Sequence, residues 1–331
     1  MTKQNGYTYH SQSNISLRIE RLIKAIQRTD GQAFRITYSK HGDEQISETR
    51  LSKYFDGIEQ MVALFEYDRE YQYSWHLNLF RDACQAIWIK RSTVGITCLN
   101  EDESRYLSAS ETLNELTTCI RSLLGRKGVN RQEHVQRHLA IQQEIEIGRY
   151  VDAVLDRYAR TCVVRVDLYY RPQAQARLRV EQVFDDLDRL IAERERNLIF
   201  DNEIGYICSV EQGEDHGYHI HAAFFFNGAQ VSADIYRAQR IGELWERITR
   251  GQGYFNNCNL DKDKDKYEDR LGIGLIHRKD LHARGNVHYT MGYLVKNDQH
   301  LRLKPIGARC LRKGQARKAS GTTNRSIAKR A

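Results

Sequence analysis

The spacing of apolar residues changes its period near residue 160. Upstream of that point, apolar side chains recur every three or four residues in the stretches 15–26, 51–65, 77–88 and 113–124. This spacing is typical of amphipathic helices that share a core. We therefore predict that residues 1–160 form a mostly helical accessory domain, with short strands near 33–39 and 94–98.

Downstream of residue 160 the period shortens to two, which is typical of strands. In 162–170, apolar side chains (Val164, Val166, Leu168) alternate with polar ones (Arg165, Asp167, Tyr169). Strands at 204–226 and 271–276 are predicted to alternate with helices near 184–191, 232–249 and 286–296, and the charged segment 261–270 is predicted to be a solvated loop. This order resembles the ferredoxin-like plan, an antiparallel sheet with helices on one face. The expected fold class is α+β, with this sheet in a domain at 161–300.

Two histidines in the region 204–226 suggest a metal site. His219 and His221 are two positions apart on a predicted strand, so they point the same way with Cβ atoms roughly 6 to 7 Å apart. Glu211 lies on the preceding strand. A two-residue turn at 215–216 would direct Glu211 to the other face, whereas an odd loop at 214–216 sets it opposite His219. We predict the odd loop or a bulge, and a metal site of Glu211, His219 and His221; His216 is an alternative ligand.

The net charge of +8 is concentrated at the carboxyl end. Residues 301–331 carry ten Lys or Arg and no Asp or Glu, which leaves 41 basic against 43 acidic residues elsewhere. This composition predicts a basic, disordered tail. Such a tail binds nucleic acid through phosphates, or else only improves solubility.

Other features of the composition narrow the class of protein. The seven cysteines form no C-x-x-C pair, which favours reduced thiols over a disulfide framework or a zinc ribbon. No apolar run approaches the ~18 residues of a membrane span, and the polar start is unlike a signal peptide. We expect a cytoplasmic protein without a membrane partner.

The predicted helix 286–296 has two distinct sides. At helical spacing, Val287, Met291 and Leu294 share one side, while Tyr289, Tyr293 and Lys296 share the opposite one. Tyrosines on the side opposite the apolar stripe are not explained by packing. Near a metal ion held by two imidazoles and a carboxylate, a tyrosine can attack a phosphodiester and form a phosphotyrosine, and a lysine can stabilise its anion.

These motifs resemble those of a known enzyme family. His219-Ile220-His221 is similar to the His-hydrophobic-His motif of HUH endonucleases, and Tyr293 with Lys296 is similar to the Tyr-x-x-Lys motif of their rolling-circle replication initiators. Tyr289 with Tyr293 also matches paired tyrosines of the phage A-protein type, although position 292 is Gly where that pattern has Lys. The resemblance covers 162–300 and is greatest to the inovirus (filamentous prophage) replication-protein family.

The resemblance implies a function and a role for each matched residue. The enzyme would nick single-stranded DNA at a replication origin, hold the 5′ phosphate covalently and later rejoin the strand. Host replication proteins are candidate further partners. Tyr293 would be the nucleophile, Lys296 its electrostatic partner, and Tyr289 a second nucleophile or a substrate contact. Glu211, His219 and His221 would bind Mg²⁺ or Mn²⁺. A relaxase-like or transposase-like HUH enzyme and a DNA-binding regulator that does not cut are alternatives.

Overall fold

A computed structural model describes residues 10–66, 71–93, 95–126, 129–294 and 300–315. The helices are α1 (Gln12–Gln27), α2 (Ile58–Ala63), α3 (Trp75–Ala86), α4 (Ala109–Arg126), α5 (Val129–Leu155), α6 (Pro172–Gln175), α7 (Val180–Glu193), α8 (Asp234–Ile248), α9 (Asp261–Lys264) and α10 (Leu281–Tyr293). The strands are β1 (Phe34–Tyr38), β2 (Glu44–Glu48), β3 (Tyr71–Tyr73), β4 (Lys90–Ser92), β5 (Gly95–Thr97), β6 (Arg160–Tyr170), β7 (Glu203–Gly213), β8 (Gly217–Asn227), β9 (Gly253–Asn257), β10 (Gly274–His277), β11 (Leu303–Pro305) and β12 (Leu311–Lys313). Short 3₁₀ helices are at Ser52–Phe55, Leu198–Phe200 and Asp265–Arg270.

The central sheet is antiparallel and has the strand order β10-β6-β8-β7-β12. Strand β9 also pairs with β6, along residues 166–170, while β10 pairs with its other end at 160–163. Long helices alternate with these strands, so the predicted α+β class is confirmed at this level. The sequence patterns did not predict β9 or β12.

The β7–β8 hairpin determines which side chains share a face. Its register sets Glu211 opposite His219 and Gly213 opposite Gly217, which leaves a three-residue loop at 214–216. The prediction of an odd loop is therefore confirmed. Gly217 has a φ of 57°, a conformation that glycine adopts without the steric cost of a Cβ atom.

Helices cover both faces of the sheet, which corrects the prediction that they lie on one face. On one face, α7, α8 and the helices α1, α3 and α4 pack in a single hydrophobic cluster with β6, β7 and β8. On the other face, α5 and α10 pack on a second cluster that includes Val163, Ile207 and Phe225. The second layer forms because alternate residues at one end of these strands are also apolar.

The region before residue 160 is mostly helical, as its spacing predicts, and has short strands at β1 to β5. Its core is continuous with that of the sheet, since Ile23 and Phe80 belong to the same hydrophobic cluster as Leu168. Polar contacts join the two regions as well. The Gln212 side chain donates hydrogen bonds to the backbone carbonyl of Ser13 and to the hydroxyl of Ser16.

The first half of the carboxyl-terminal segment 301–331 is folded, although the sequence predicted a disordered tail there. Residues 301–315 are not a disordered tail, because β11 pairs with β3 and β12 extends the sheet at β7. Leu303 is fully buried and Arg302 forms an ion pair with Glu20. Basic composition did not reveal this, since strand pairing uses backbone groups that any residue supplies. Residues 316–331 lie outside the described part. Within the described ranges, no helix has the length and apolar character that crossing a membrane requires.

Candidate metal centre

The polar ends of three adjacent strands meet on the sheet face that α5 and α10 partly cover. Strand β7 contributes Glu211, β8 contributes His219 and His221, and β6 contributes Asp167. The register places Glu211 opposite His219 and Asp167 opposite His221, so all four side chains project from the same face. Each is at least nine-tenths buried.

The three residues predicted as metal ligands lie close together. Glu211 Oε2 is 3.4 Å from His221 Nε2 and 3.8 Å from His219 Nε2. The candidate ligand atoms of the three side chains all lie within 4.8 Å of one another. Among the residues that the structure describes, this is the cluster of histidine, cysteine and carboxylate side chains whose spacing suits a metal ion.

Hydrogen bonds fix how both imidazoles are oriented. His221 Nδ1 is 2.6 Å from Asp167 Oδ1, and His219 Nδ1 is 3.1 Å from the Gly217 carbonyl oxygen. A carbonyl and an ionised carboxylate only accept, so each Nδ1 carries the proton. Both Nε2 atoms then face Glu211. A carboxylate or carbonyl behind each imidazole is the usual arrangement around metal-binding histidines.

Glu211 has a carboxylate oxygen whose nearest polar neighbours are the two imidazoles. Its Oε2 atom is buried and makes no hydrogen bond to any described residue. Leaving a buried polar group unpaired costs about 1–3 kcal/mol, and more for a charged group. A cation between the Nε2 atoms and this oxygen removes that cost. The donor set of two imidazoles and one carboxylate suits several divalent ions, including Mg²⁺ and Mn²⁺.

The two histidines have opposite pKa shifts. Burial, together with the nearby His221, lowers the pKa of His219 to about 4. Burial also acts to lower the pKa of His221, but the Asp167 and Glu211 carboxylates outweigh it and raise that pKa to about 9. His219 is therefore neutral and ready to bind a metal at pH 7, whereas a metal must displace a proton from His221.

Asp167 is held in its ionised form by its neighbours. Burial alone would raise the pKa of this carboxyl, but the Arg165 guanidinium and His221 hold it well below its usual range. Arg165 Nε lies 3.4 Å from Asp167 Oδ1. The carboxylate thus links the buried Arg165 to His221, one of the three candidate ligands.

Helix α10, which carries Tyr289 and Tyr293, lies beside this cluster. Tyr293 has 38% of its surface exposed, and its ring centre is 6.3 Å from that of His221. The Arg165 guanidinium carbon is 5.6 Å from the Tyr293 ring centre. Val287 and Met291 are fully buried on the opposite side of α10, which confirms the two-sided pattern that the sequence predicted.

Tyr289 has different surroundings from Tyr293. It is 51% exposed, and Arg270 Nη1 donates a 3.3 Å hydrogen bond to its hydroxyl. Lys296, the predicted electrostatic partner of Tyr293, lies outside the described residues. The helix itself begins at Leu281, earlier than the predicted 286, because the Asp280 side chain caps it by accepting a hydrogen bond from the Ala283 amide.

Helix α5 holds α10 in place through charged contacts. Arg284 forms ion pairs with Asp152 and Asp156, at 2.9 and 2.6 Å. His288 Nε2 lies 2.9 Å from Asp152 Oδ1. These contacts set the position of Tyr289 and Tyr293 relative to the sheet.

Sequence reasoning missed two residues of this site. Arg165 and Asp167 were placed on the polar side of their strand but were given no role. The sequence did offer one indication of such a role, because Arg165 and Asp167 are charged residues in the middle of a strand whose neighbouring positions are apolar. His216, the alternative ligand, is exposed in the hairpin loop with its ring centre 6.2 Å from that of His219, and it is not part of the cluster.

Comparisons with known proteins give one match. A family model described as the YagK/YfjJ C-terminal domain matches residues 126–275. No curated protein and no solved structure matches the chain. The matched segment runs from the end of α4 into β10, so it contains Glu211, His219, His221 and Asp167 and excludes both tyrosines of α10.

Proposed function

We propose that this chain is a metal-dependent nuclease of the HUH type that nicks and rejoins single-stranded DNA at a replication origin through a 5′-phosphotyrosine. One observation carries the proposal. A buried Glu-His-His cluster, in which one carboxylate oxygen makes no hydrogen bond, lies beside an accessible tyrosine, and the ring centres of Tyr293 and His221 are 6.3 Å apart. Rolling-circle initiation is the setting that the sequence resemblance favours.

The site has the groups that this reaction needs. When bound by Glu211, His219 and His221, Mg²⁺ or Mn²⁺ would supply the positive charge that stabilises the phosphate in the transition state. The Tyr293 oxygen forms a bond to phosphorus as the phosphorus–3′-oxygen bond breaks. The phenol loses its proton and the departing 3′ oxygen takes one up. The Arg165 guanidinium, 5.6 Å from the Tyr293 ring centre, can contact the phosphate and stabilise its charge.

The topology of the sheet supports the same proposal. The strands β6, β7, β8 and β10 occur in this order along the chain, with α7 after β6 and α8 after β8, and β9 lies between α8 and β10. In space the four strands have the order β10-β6-β8-β7. This is the arrangement expected of a ferredoxin-like sheet. It brings the ends of the two central strands, β6 and β8, beside the hairpin partner that carries Glu211.

The proposal is tested by asking whether the protein forms a covalent adduct with DNA. Purified protein is mixed with single-stranded DNA from its own replicon and Mn²⁺, and a denaturing gel is examined for a protein–DNA band. We expect an adduct with wild-type protein and with Tyr289→Phe, and none with Tyr293→Phe or after EDTA treatment. Tyr236→Phe, an exposed tyrosine of α8 on the other side of the sheet, is the matched control.

Two outcomes would change the proposal. Loss of the adduct in both Tyr289→Phe and Tyr293→Phe would indicate a mechanism with two nucleophiles. Binding of DNA without an adduct in any divalent metal would refute nicking and favour a regulator that does not cut.

A further inference from the structure

A cavity of about 590 Å³ opens beside the candidate metal centre, between β6, the segment 261–270 and α10. Arg165, Asp167 and Tyr293 line its inner end, and Arg270 and Tyr289 also line it. Because Asp167 also bonds His221, the cavity borders the candidate metal centre directly. Its volume is within the range of about 300–1,000 Å³ that is typical of small-molecule sites.

Three residues of the cavity wall have a buried polar atom without a hydrogen bond to a described residue. Asp263 Oδ2 and Thr290 Oγ1 are two of these atoms, and the third, Arg165 Nε, has only the 3.4 Å ion pair with Asp167. The exposed fractions of these residues are 6%, 4% and 1%. Buried polar groups are rarely left unpaired, since each one costs stability. Because all three residues line the same cavity, a polar ligand with both an anionic group and hydrogen-bond donors suits it.

We propose that this cavity binds one nucleotide of the DNA strand, adjoining the phosphate that Tyr293 attacks. Arg165 contacts a phosphate oxygen at the inner end, and Tyr289 stacks on the base. The inference rests on the proposed function and extends it. It assigns Tyr289 to DNA binding rather than to a second nucleophilic attack.

The charges and shapes of the wall fit a nucleotide. Three cations, Arg165, Lys266 and Arg270, line the cavity with two carboxylates, Asp167 and Asp263, so a phosphate finds a net positive surface. Asp263 pairs with Lys266 through Oδ1, and its buried Oδ2 makes no hydrogen bond to a described residue. An ionised carboxylate only accepts hydrogen bonds, so this oxygen suits a base edge that presents N–H groups.

The Arg270 and Tyr289 pair favours a stacked base. The Arg270 guanidinium carbon is 5.1 Å from the Tyr289 ring centre, and both side chains are exposed. Proteins that bind single strands combine an aromatic platform for the base with a cation for the backbone. The segment 261–270 was predicted to be a solvated loop, but it folds into α9 and the 3₁₀ helix Asp265–Arg270 and forms one side of this cavity.

The experiment measures DNA binding separately from cutting. Fluorescence anisotropy with a labelled single-stranded oligonucleotide that spans the cut site is recorded in EDTA with the full chain. We expect Arg270→Ala and Tyr289→Ala each to raise Kd about 10-fold, since one stacked base or one phosphate contact is lost. Tyr289→Phe keeps the ring and should bind within about 2-fold of wild type.

Matched controls come from α8, on the opposite side of the sheet. Arg240→Ala and Tyr236→Ala remove the same side-chain types from exposed positions and should leave Kd unchanged. Asp263→Asn should weaken discrimination between oligonucleotides that differ in the base beside the cut site, by about 10-fold. Cavity variants that bind like the α8 variants would overturn the inference even if wild-type protein forms the covalent adduct.

The remaining outcomes separate this inference from the proposed function. Weaker DNA binding by the cavity variants, in a protein that forms no adduct with any metal, would support the nucleotide site and refute nicking. Tighter binding of free deoxynucleoside monophosphates than of the oligonucleotide would overturn the assignment to a DNA strand, because it would identify a site for free nucleotides.

Discussion

The two faces of the central sheet are built from alternate residues of the same strands, but they have different roles. On one face, Val166, Leu168 and Phe224 are fully buried under α7, α8 and the amino-terminal helices. On the other face, the strands are apolar only at the end where α5 and α10 pack, as at Val163 and Phe225. The other end carries the Glu-His-His cluster. A fully apolar face fixes the strand register, so the opposite face can hold buried polar groups in place.

The largest expected effect on stability comes from the apolar face. Phe224→Ala removes a fully buried ring from the cluster under α7 and α8 and should lower the free energy of unfolding by about 3–5 kcal/mol. Denaturant titration measures this loss. The metal affinity of the protein that stays folded should be unchanged, and a parallel loss of metal affinity would show that the two faces are not independent.

A smaller effect is expected from Glu211→Gln, on the polar face. At a metal concentration 100 times Kd, a bound ion adds about 2.7 kcal/mol to stability, and this increment should disappear when the carboxylate is lost. The measurement is thermal or denaturant unfolding with and without Mn²⁺.

Glu20→Gln is the matched control for that prediction. Glu20 is also a buried carboxylate, but Lys24 and Arg302 pair with it, and the pKa of its carboxyl is lowered to about 2: burial acts to raise it, and the charge of Arg302 outweighs this. Its loss should cost stability equally with and without metal. If Mn²⁺ raised the free energy of unfolding of wild type and of Glu211→Gln by the same amount, the metal site would be refuted.

The sequence predicted the polar face better than it predicted the sheet around it. Parity predicted an odd loop or a bulge at 214–216, on the assumption that Glu211 faces the same side of the sheet as His219. The roles of Arg165 and Asp167 were not predictable in the same way. They depend on which strand lies beside β8, and that is a long-range pairing that local spacing does not encode. Strand β12 was missed because basic residues at an edge strand resemble those of a solvated tail.

Asp167→Asn should have a smaller effect than loss of a ligand. Asp167 orients His221 by accepting its Nδ1 proton, and removing such a partner typically lowers metal affinity 10- to 100-fold. We expect about 10-fold here, because Asn keeps one acceptor oxygen. Asp186→Asn is the control on the apolar face, where the buried Asp186 accepts a hydrogen bond from Tyr170. An equal change in metal affinity in both variants would indicate a general loss of structure.

Metal binding by the unaltered protein should also depend on pH, and the sign of that dependence follows from the two histidines. His219, whose pKa is lowered to about 4, is neutral throughout the range from pH 6 to 9 and contributes no change there. His221, whose pKa is raised to about 9, must lose a proton to bind the ion. Metal affinity should therefore rise with pH, by up to about 10-fold per unit, and level off near pH 9. The stability of the metal-free protein has the opposite dependence and falls as pH rises. Protonated His221 stabilises the fold below pH 6.5, and that contribution is lost as pH rises through 9. Calorimetric titration with Mn²⁺ at several pH values measures the first trend. A metal affinity that does not vary between pH 6 and 9 would mean that His221 binds no ion.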